Sequence, residues 1–207
     1  MLYYQNIIIL GASSKIINFL EKNVKYKSLT IVPWRQINLK KKLNTYADLI
    51  IVCGYDYSSY KYEFKKFYNI NVLIPLQFIK KNYCNKTSII YINTLFSKKR
   101  TYSRYYFAKH KLYEELKKNF YHFKSATLPL VINDKKIDVY GSNFNKYLFK
   151  ILLYFKLIKS IDYNKVSSTI NLLLKKNYKK NTYQAKVKGY FLKIPRTILL
   201  DRMLRLI

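Results

Sequence analysis

Tyr105 and Lys109, four residues apart, are the pair in this 207-residue sequence best placed to do chemistry. Residues at that spacing share one face of a helix, so a helix here would set the ammonium beside the phenol. A neighbouring positive charge lowers a phenol pKa from about 10 towards neutrality, which makes a usable general acid–base. Spacing alone is a weak signal, because the chain has 23 tyrosines and Tyr113 and Lys117 form the same pair. What distinguishes Tyr105 and Lys109 is their place. They follow a strand-like segment ending in Asn93-Thr94 and stand before Glu114 and Glu115 in a helical pattern. Ser97 and Tyr102 are the alternative hydroxyl and phenol, and Tyr102 is the poorer phenol because Tyr106, not lysine, stands four residues on. His110 and His122 have no carboxylate or cysteine at ligand spacing and read as solvated or packing histidines. With only Cys53 and Cys84 and no Cys/His cluster, neither a metal site nor a disulfide framework is expected.

These groups need a scaffold. The length suits one sizeable core rather than two. Short, β-branched apolar runs at 7–10, 29–32, 49–53, 89–92 and 126–132 read as strands. Between them lie helical patterns around 16–20, from about Tyr60, and over 105–120. Strands alternating with crossover helices predict an α/β fold: a Rossmann-type doubly wound parallel sheet with helices on both faces. The pattern changes near Lys146, where 145–160 and 164–177 both look like amphipathic helices. We therefore expect a nucleotide-binding-like domain over 1–145 and a helical extension over 146–207 that packs on the same domain. The basic, amphipathic tail at 189–207 could pack on the sheet or lie on an anionic membrane surface, and packing is favoured.

Four segments, in order, resemble landmarks of the short-chain dehydrogenase/reductase family. Gly11-Ala-Ser-Ser-Lys-Ile-Ile, directly after the first strand, resembles the family's GASSGIG loop. There, glycines let the backbone approach a pyrophosphate at a helix N-terminus. Gly11 is kept, but Lys15 and Ile17 stand at the next two glycine positions. Ile17 should crowd the helix–strand contact, while Lys15 offers a phosphate charge in place of close backbone approach. Pro33-Trp34-Arg35 ends the second strand, where an acidic residue would suit NAD and an arginine the 2′-phosphate of NADP. A surface arginine beside a partly buried tryptophan is the alternative there. Cys53-Gly54, followed by Asn71-Val-Leu-Ile-Pro-Leu, looks like the family's entry into its central helix, where the asparagine has a structural role. Ile89-Ile-Tyr-Ile-Asn-Thr94, with Tyr105 and Lys109, resembles the catalytic strand and the YxxxK helix.

The resemblance implies that Thr94 orients a substrate carbonyl or alcohol, Tyr105 is the acid–base, and Lys109 also holds the nicotinamide ribose. It implies NADP or NAD as cofactor, NADP favoured by Arg35, held by Gly11, Ser13, Ser14, Lys15, Ile16, Arg35 and Gly54. Extended members of the family act on nucleotide sugars as epimerases, dehydratases or 4-keto reductases. Too little chain follows 126–132 here for a full substrate lobe, so the pocket must be small or built by a partner.

The charge reads either as coding bias in a chain rich in Lys, Asn, Ile and Tyr or as a functional surface for anionic partners. Forty Lys and Arg against ten Asp and Glu give a net charge of +30, and codon bias leaves the scarcity of Glu unexplained. Such a surface attracts nucleotides, anionic lipid or nucleic acid. Three functions follow. The first is an NAD(P)-dependent oxidoreductase or epimerase acting on a small nucleotide-linked substrate, as in surface-polysaccharide synthesis, with a homodimer as one arrangement. The second is a non-catalytic descendant of the fold, a binding or complex subunit, which Lys15 and Ile17 motivate. The third is a nucleic-acid or membrane-surface binder, although the basic residues are spread along the chain and no zinc finger or RNP sequence is present. No run reaches the roughly 18 apolar residues of a membrane span, and the N-terminus lacks the order of a secretory signal, so a cytoplasmic protein is expected.

Overall fold

The computed structural model describes residues 2–11, 14–39, 46–94, 104–128, 130–132, 151, 154, 160–175 and 182–184. Eight strands are described: β1 (Leu2–Leu10), β2 (Val24–Val32), β3 (Leu49–Val52), β4 (Ser88–Thr94), β5 (Phe123–Leu128), β6 (Leu130–Ile132), β7 (Ser160–Asp162) and β8 (Thr182–Gln184). The helices with described bounds are α1 (Ser14–Asn23), α2 (Phe64–Tyr68), α3 (Ile74–Asn82), α4 (Arg104–Asn119) and α5 (Tyr163–Leu174). Six strands form one sheet in the order β2-β1-β3-β4-β5-β8, with every neighbouring pair parallel. This is the Rossmann-type doubly wound sheet the alternation predicts. The chain leaves β1 to one side for β2 and returns on the other side for β3. A crevice therefore opens at the carboxyl ends of β1 and β3, the usual ligand position in such sheets.

The apolar runs explain the middle of the sheet. Ile7, Ile9, Leu49, Ile51 and Ile90 face a core closed by Val166, Ile170 and Leu173 of α5. Leu10, Ile50, Val52 and Tyr91 face the opposite core, closed by Phe67, Val72, Leu112 and Leu116. Burial on both faces is why these strands read as continuous hydrophobic runs.

Four details differ from the sequence reading, each for a local reason. β1 and β2 begin well before their apolar runs, because they pair along their whole length, Leu2↔Val24 to Leu10↔Val32. β3 joins β1 only from Ile7↔Leu49, so the first half of the β1–β2 ribbon extends beyond it. The helix expected from Tyr60 starts at Phe64, because residues Tyr57–Lys61 form a 3-10 turn capped by the Asp56 side chain. The apolar segment 126–132 is divided between two sheets: β5 stays in the main one, and β6 pairs with β7. Pro129 stands between them in sequence, and proline has no N–H to continue a ladder. The C-terminal third contributes a strand as well as a helix, since β8 pairs with β5 through Ser125↔Thr182. The helix expected at 145–160 lies largely, and the tail at 189–207 wholly, outside the described residues.

Dinucleotide-binding sheets of this type commonly carry a further strand beyond the second, in the order 3-2-1-4-5-6. Among the described residues β2 is the edge, and it is followed by a single 3-10 turn, Trp34–Gln36. Trp34, only 7% exposed, fills the core at this point, with Ile37 and Leu39 packed against it. Lys25 and Lys27 are exposed along the edge, which discourages pairing with another chain. Among the described residues no helix is long and apolar enough to cross a membrane.

Candidate active site

The crevice is built on two glycines in contact. Gly11 ends β1 with φ +94°, a left-handed conformation, and a Cβ there would run into the backbone of Gly54. A Cβ on Gly54 would in turn meet the Trp34 ring. Both ends are pinned: Gly11 N donates to Val32 O (2.9 Å), and Cys53 N and Gly54 N both donate to Leu10 O (2.9 and 3.1 Å). α1 starts directly above, at Ser14. Ile17, at the position of the third loop glycine, packs against the Ile7–Ile9 core, so the expected crowding is absorbed as an ordinary hydrophobic contact. Ser13 lies outside the described residues, as do the side chains of Ser14, Lys15 and Ile16.

The loop after β3 is held by one buried asparagine. α2 and α3 form a single rod interrupted by a π turn, Asn69–Leu73, in which Ile74 N donates to Asn69 O. Pro75 sits in the first turn of α3, and its missing N–H explains why the ladder widens here. Asn71, 1% exposed, lies in that turn. Its Oδ1 accepts from Asp56 N (2.9 Å), and its Nδ2 donates to Ser59 Oγ (2.6 Å) and Phe67 O (3.1 Å). The structural role that the resemblance implied for this asparagine is thus fastening the rim of the crevice to the helix. Asn71→Ala is expected to destabilise the fold by about 2–3 kcal/mol in chemical denaturation, since it removes the acceptor of Asp56 N and the donor to Ser59 Oγ and Phe67 O. A loss under about 0.5 kcal/mol would show that the loop holds itself.

Three sequence-predicted residues converge at the end of β4. The Thr94 side chain lies close enough to the Tyr105 phenol to favour its ionised form slightly. Asn93 Oδ1 accepts from Thr94 N (2.9 Å), which fixes the strand end. Lys109, 5% exposed, donates from Nζ to Gly54 O (3.1 Å) and Ile92 O (3.3 Å). It thereby ties α4 to the crevice floor. Its ammonium lies 5.1 Å from the centroid of the Tyr91 ring, whose hydroxyl donates to Lys109 O (3.0 Å).

The electrostatics correct one expectation. Lys109 was expected to lower the Tyr105 phenol. Instead, burial pushes the phenol well above its ordinary value, and Tyr57, Tyr106 and Tyr91 add to the rise. The Thr94 side chain opposes it. The reason is geometric, because the lysine Nζ is turned to two carbonyls and the face of Tyr91. In this arrangement Tyr105 is a held proton donor, not a phenolate. Burial lowers Lys109 to about 8, with the Cys53 thiol acting weakly the other way. Burial pushes that thiol up to about 12, so Cys53 stays protonated and donates to Gly11 O (2.9 Å).

A buried ammonium with no carboxylate partner among the described residues is costly, and its sign with pH is fixed. The unfolded lysine titrates near 10.4 and the folded one near 8, so between those values the unfolded chain holds more protons. Stability attributable to Lys109 therefore rises from pH 8 towards about 10.4. Lys109→Met is expected to raise stability by about 1–2 kcal/mol at pH 7 and to remove that alkaline rise. A Lys109→Met protein less stable than wild type would show that the two carbonyl bonds outweigh the desolvation.

Sequence reasoning missed several residues here. Tyr55 and Tyr57 enclose Tyr105 from the rim, with centroids 4.8 Å (edge-on) and 5.8 Å (stacked) away. Tyr106 closes a third side at 5.3 Å. In a chain with 23 tyrosines nothing marked these out. Asp56 was also missed. It receives Arg35 Nε at 2.7 Å, which brings the rim of β3 to the end of β2. The histidine reading needs one correction: Glu114 lies one helical turn from His110, and Nε2 meets Oε1 at 3.2 Å.

This sheet, with its crevice at the ends of β1 and β3, is the fold of NAD(P)-binding reductases and epimerases, and the likeness to solved structures bears out the resemblance at that level. No protein-family model matches the sequence, and no curated protein is similar to it in sequence. One similar structure is a dTDP-4-dehydrorhamnose reductase from Bacillus anthracis in complex with NADP. The TM-score is 0.59 at 15% identity, over 91% of this chain and 76% of that chain. A UDP-N-acetylglucosamine 4-epimerase from Bacillus cereus gives a TM-score of 0.57 at 11% identity, over 90% and 79%. A short-chain dehydrogenase/reductase superfamily protein from Agrobacterium tumefaciens with bound NAD gives 0.57 at 8%, over 89% and 79%. At these identities the likeness is one of fold.

Proposed function

We propose that this chain is an NAD(P)-dependent oxidoreductase or epimerase of the short-chain type acting on a small, nucleotide-linked sugar. The observation that carries the reading is the meeting of Thr94, Tyr105 and Lys109 at the end of β4, with the lysine buried there. These residues fit a nicotinamide nucleotide in the crevice. α1 begins just after the Gly11 turn, Lys109 reaches the Gly54 carbonyl, and Arg35 is held at the end of β2 by Asp56. The cofactor would supply a hydride. Thr94 would hold a substrate carbonyl oxygen, and Tyr105, protonated across the neutral range, would deliver a proton to that oxygen as negative charge develops. Lys109 would bind the cofactor ribose and offset the same charge.

Support for a sugar linked to a nucleotide comes from the similar reductase and epimerase structures and from the net charge of +30. Purified protein given NADPH and a nucleoside-diphosphate 4-keto sugar is expected to consume the cofactor. Tight NADPH binding with no turnover on any nucleotide-linked keto sugar or alcohol would count against catalysis.

A second reading, a Rossmann protein that binds without turning over, draws on Lys15 and Ile17 in the loop and on the single turn that follows β2.

A further inference from the structure

Exposed aromatic side chains crowd the stretch 57–64, beside the rim of the crevice. Tyr57, Tyr60, Tyr62 and Phe64 are each between 37% and 52% exposed. Apolar side chains scattered singly over a surface need no explanation, but a run of them marks a surface with a partner.

The stretch is held in shape. Tyr57 and Tyr60 stand three apart in a 3-10 turn, a spacing that puts both side chains on one side. One terminal nitrogen of Arg104 donates to Tyr60 O (3.0 Å) and Tyr62 O (2.6 Å), which fixes the exit from the turn. Phe64 then opens α2 and packs on Phe107 of α4, with ring centroids 5.5 Å apart. A surface ordered before it meets a partner loses little further freedom on docking.

Charge is interleaved with the rings. Lys61, Lys65 and Lys66 are exposed in the same stretch, against a single acid, Glu63. Rings and lysines together suit either single-stranded nucleic acid, by stacking on bases, or an anionic lipid surface, at the level of the headgroups. Stacking on successive bases asks for open ring faces, and each of these rings already has one face taken. Lys66 Nζ stands 4.1 Å from the centroid of Tyr62, and Lys61 Nζ 5.8 Å from that of Tyr60. Tyr57 stacks on Tyr105 at 5.8 Å, and Phe64 on Tyr68 at 6.2 Å. Covered faces count against bases and leave a lipid surface unaffected, since headgroups meet rings and cations without stacking.

We propose that residues 57–66 form a docking surface for an anionic lipid bilayer, with the rings at headgroup level and the lysines beside the lipid phosphates. Because Tyr57 stacks on Tyr105, a docked chain holds the rim of the crevice against the membrane surface. The surface does not depend on the cofactor reading above, and it lies in a different part of the chain from the basic tail at 189–207.

The test is flotation of the full chain, at physiological salt, with vesicles of phosphatidylcholine alone and of equal parts phosphatidylcholine and phosphatidylglycerol. Binding to the second alone is expected; no binding to it, or equal binding to both, would overturn the proposal. A net charge of +30 by itself draws the chain to anionic vesicles, so the rings are the deciding variable. The triple variant Tyr60→Ser, Tyr62→Ser, Phe64→Ser keeps the charge and is expected to bind about tenfold more weakly or worse, since binding scales with the apolar area buried in the interface. Equal binding by the variant and wild type would mean adsorption by charge alone and would sink the surface. So would a variant that keeps the vesicles and loses a single-stranded oligonucleotide, which would make the stretch a nucleic-acid surface.

Tyr60→Trp covers the case in which the triple variant does not fold. The chain's single tryptophan, Trp34, is buried and so insensitive to lipid. The introduced indole should shift its emission to the blue when vesicles bind and be quenched by lipids brominated in the acyl chain. Vesicle-bound protein with that emission unmoved would put the contact elsewhere on the chain and overturn the assignment.

Discussion

Tyr105→Phe is expected to lower turnover by about 10²- to 10⁴-fold while cofactor binding and the fold stay as they are. The ring stays packed edge-on against Tyr55 at 4.8 Å and stacked on Tyr57 at 5.8 Å, so the variant keeps nearly all its contacts. Only the hydroxyl and its interaction with Thr94 are lost. A change in thermal midpoint larger than a few degrees would point to a packing role instead. Steady-state kcat for the two proteins, with thermal melts as the control, decides the matter. Undiminished turnover would end the assignment of Tyr105 as the proton donor. The pH profile offers a second view. Because burial holds the phenol protonated, Tyr105 imposes no alkaline limb near its ordinary pKa of about 10. The limb is expected near pH 8, where Lys109 loses its charge.

Gly11→Ala is expected to cost about 3–5 kcal/mol of stability, enough to leave a marginal domain largely unfolded. Two penalties add. A φ of +94° is strained for alanine, and the new Cβ would run into the Gly54 backbone and stand 3.1 Å from the Cys53 carbonyl carbon. Neither strand can yield, since the bonds from Cys53 and Gly54 to Leu10 O and from Gly11 to Val32 O hold all three ends together. Urea denaturation of the variant provides the check. A loss below about 1 kcal/mol would mean that the contact between β1 and β3 relaxes far more easily than this packing allows.

That prediction bears on what the sequence could tell. Gly11 is read from the sequence as a glycine kept for a phosphate, yet the fold requires it whether or not a phosphate is bound, because of Gly54. Ile17, at the position of another loop glycine, is absorbed into the core. The survival of one loop glycine and the loss of two is therefore weaker evidence about the cofactor than the motif suggests.

The parallel sheet was legible because its strands are buried on both faces, which leaves runs such as 7–10 and 49–53 with no polar interruption. The outer halves of β1 and β2 were not, because a two-strand ribbon half in solvent has no apolar signature. Tyr105, Lys109 and Thr94 could be found by spacing and order. The direction in which Lys109 points could not: it is decided by the Gly54 and Ile92 carbonyls, contributed by other strands. Asp56 was invisible for a related reason. Its importance lies in a pairing with Arg35 that only the approach of the β2 and β3 ends creates.

The most direct test of the account is a calorimetric titration of NADPH and NADH into the purified chain, with Lys109→Met alongside. We expect wild type to bind with a micromolar Kd and Lys109→Met to bind at least about tenfold more weakly despite its greater stability, a loss of about 1.4 kcal/mol. Absence of binding by a folded wild-type protein to either cofactor would contradict the account at its centre.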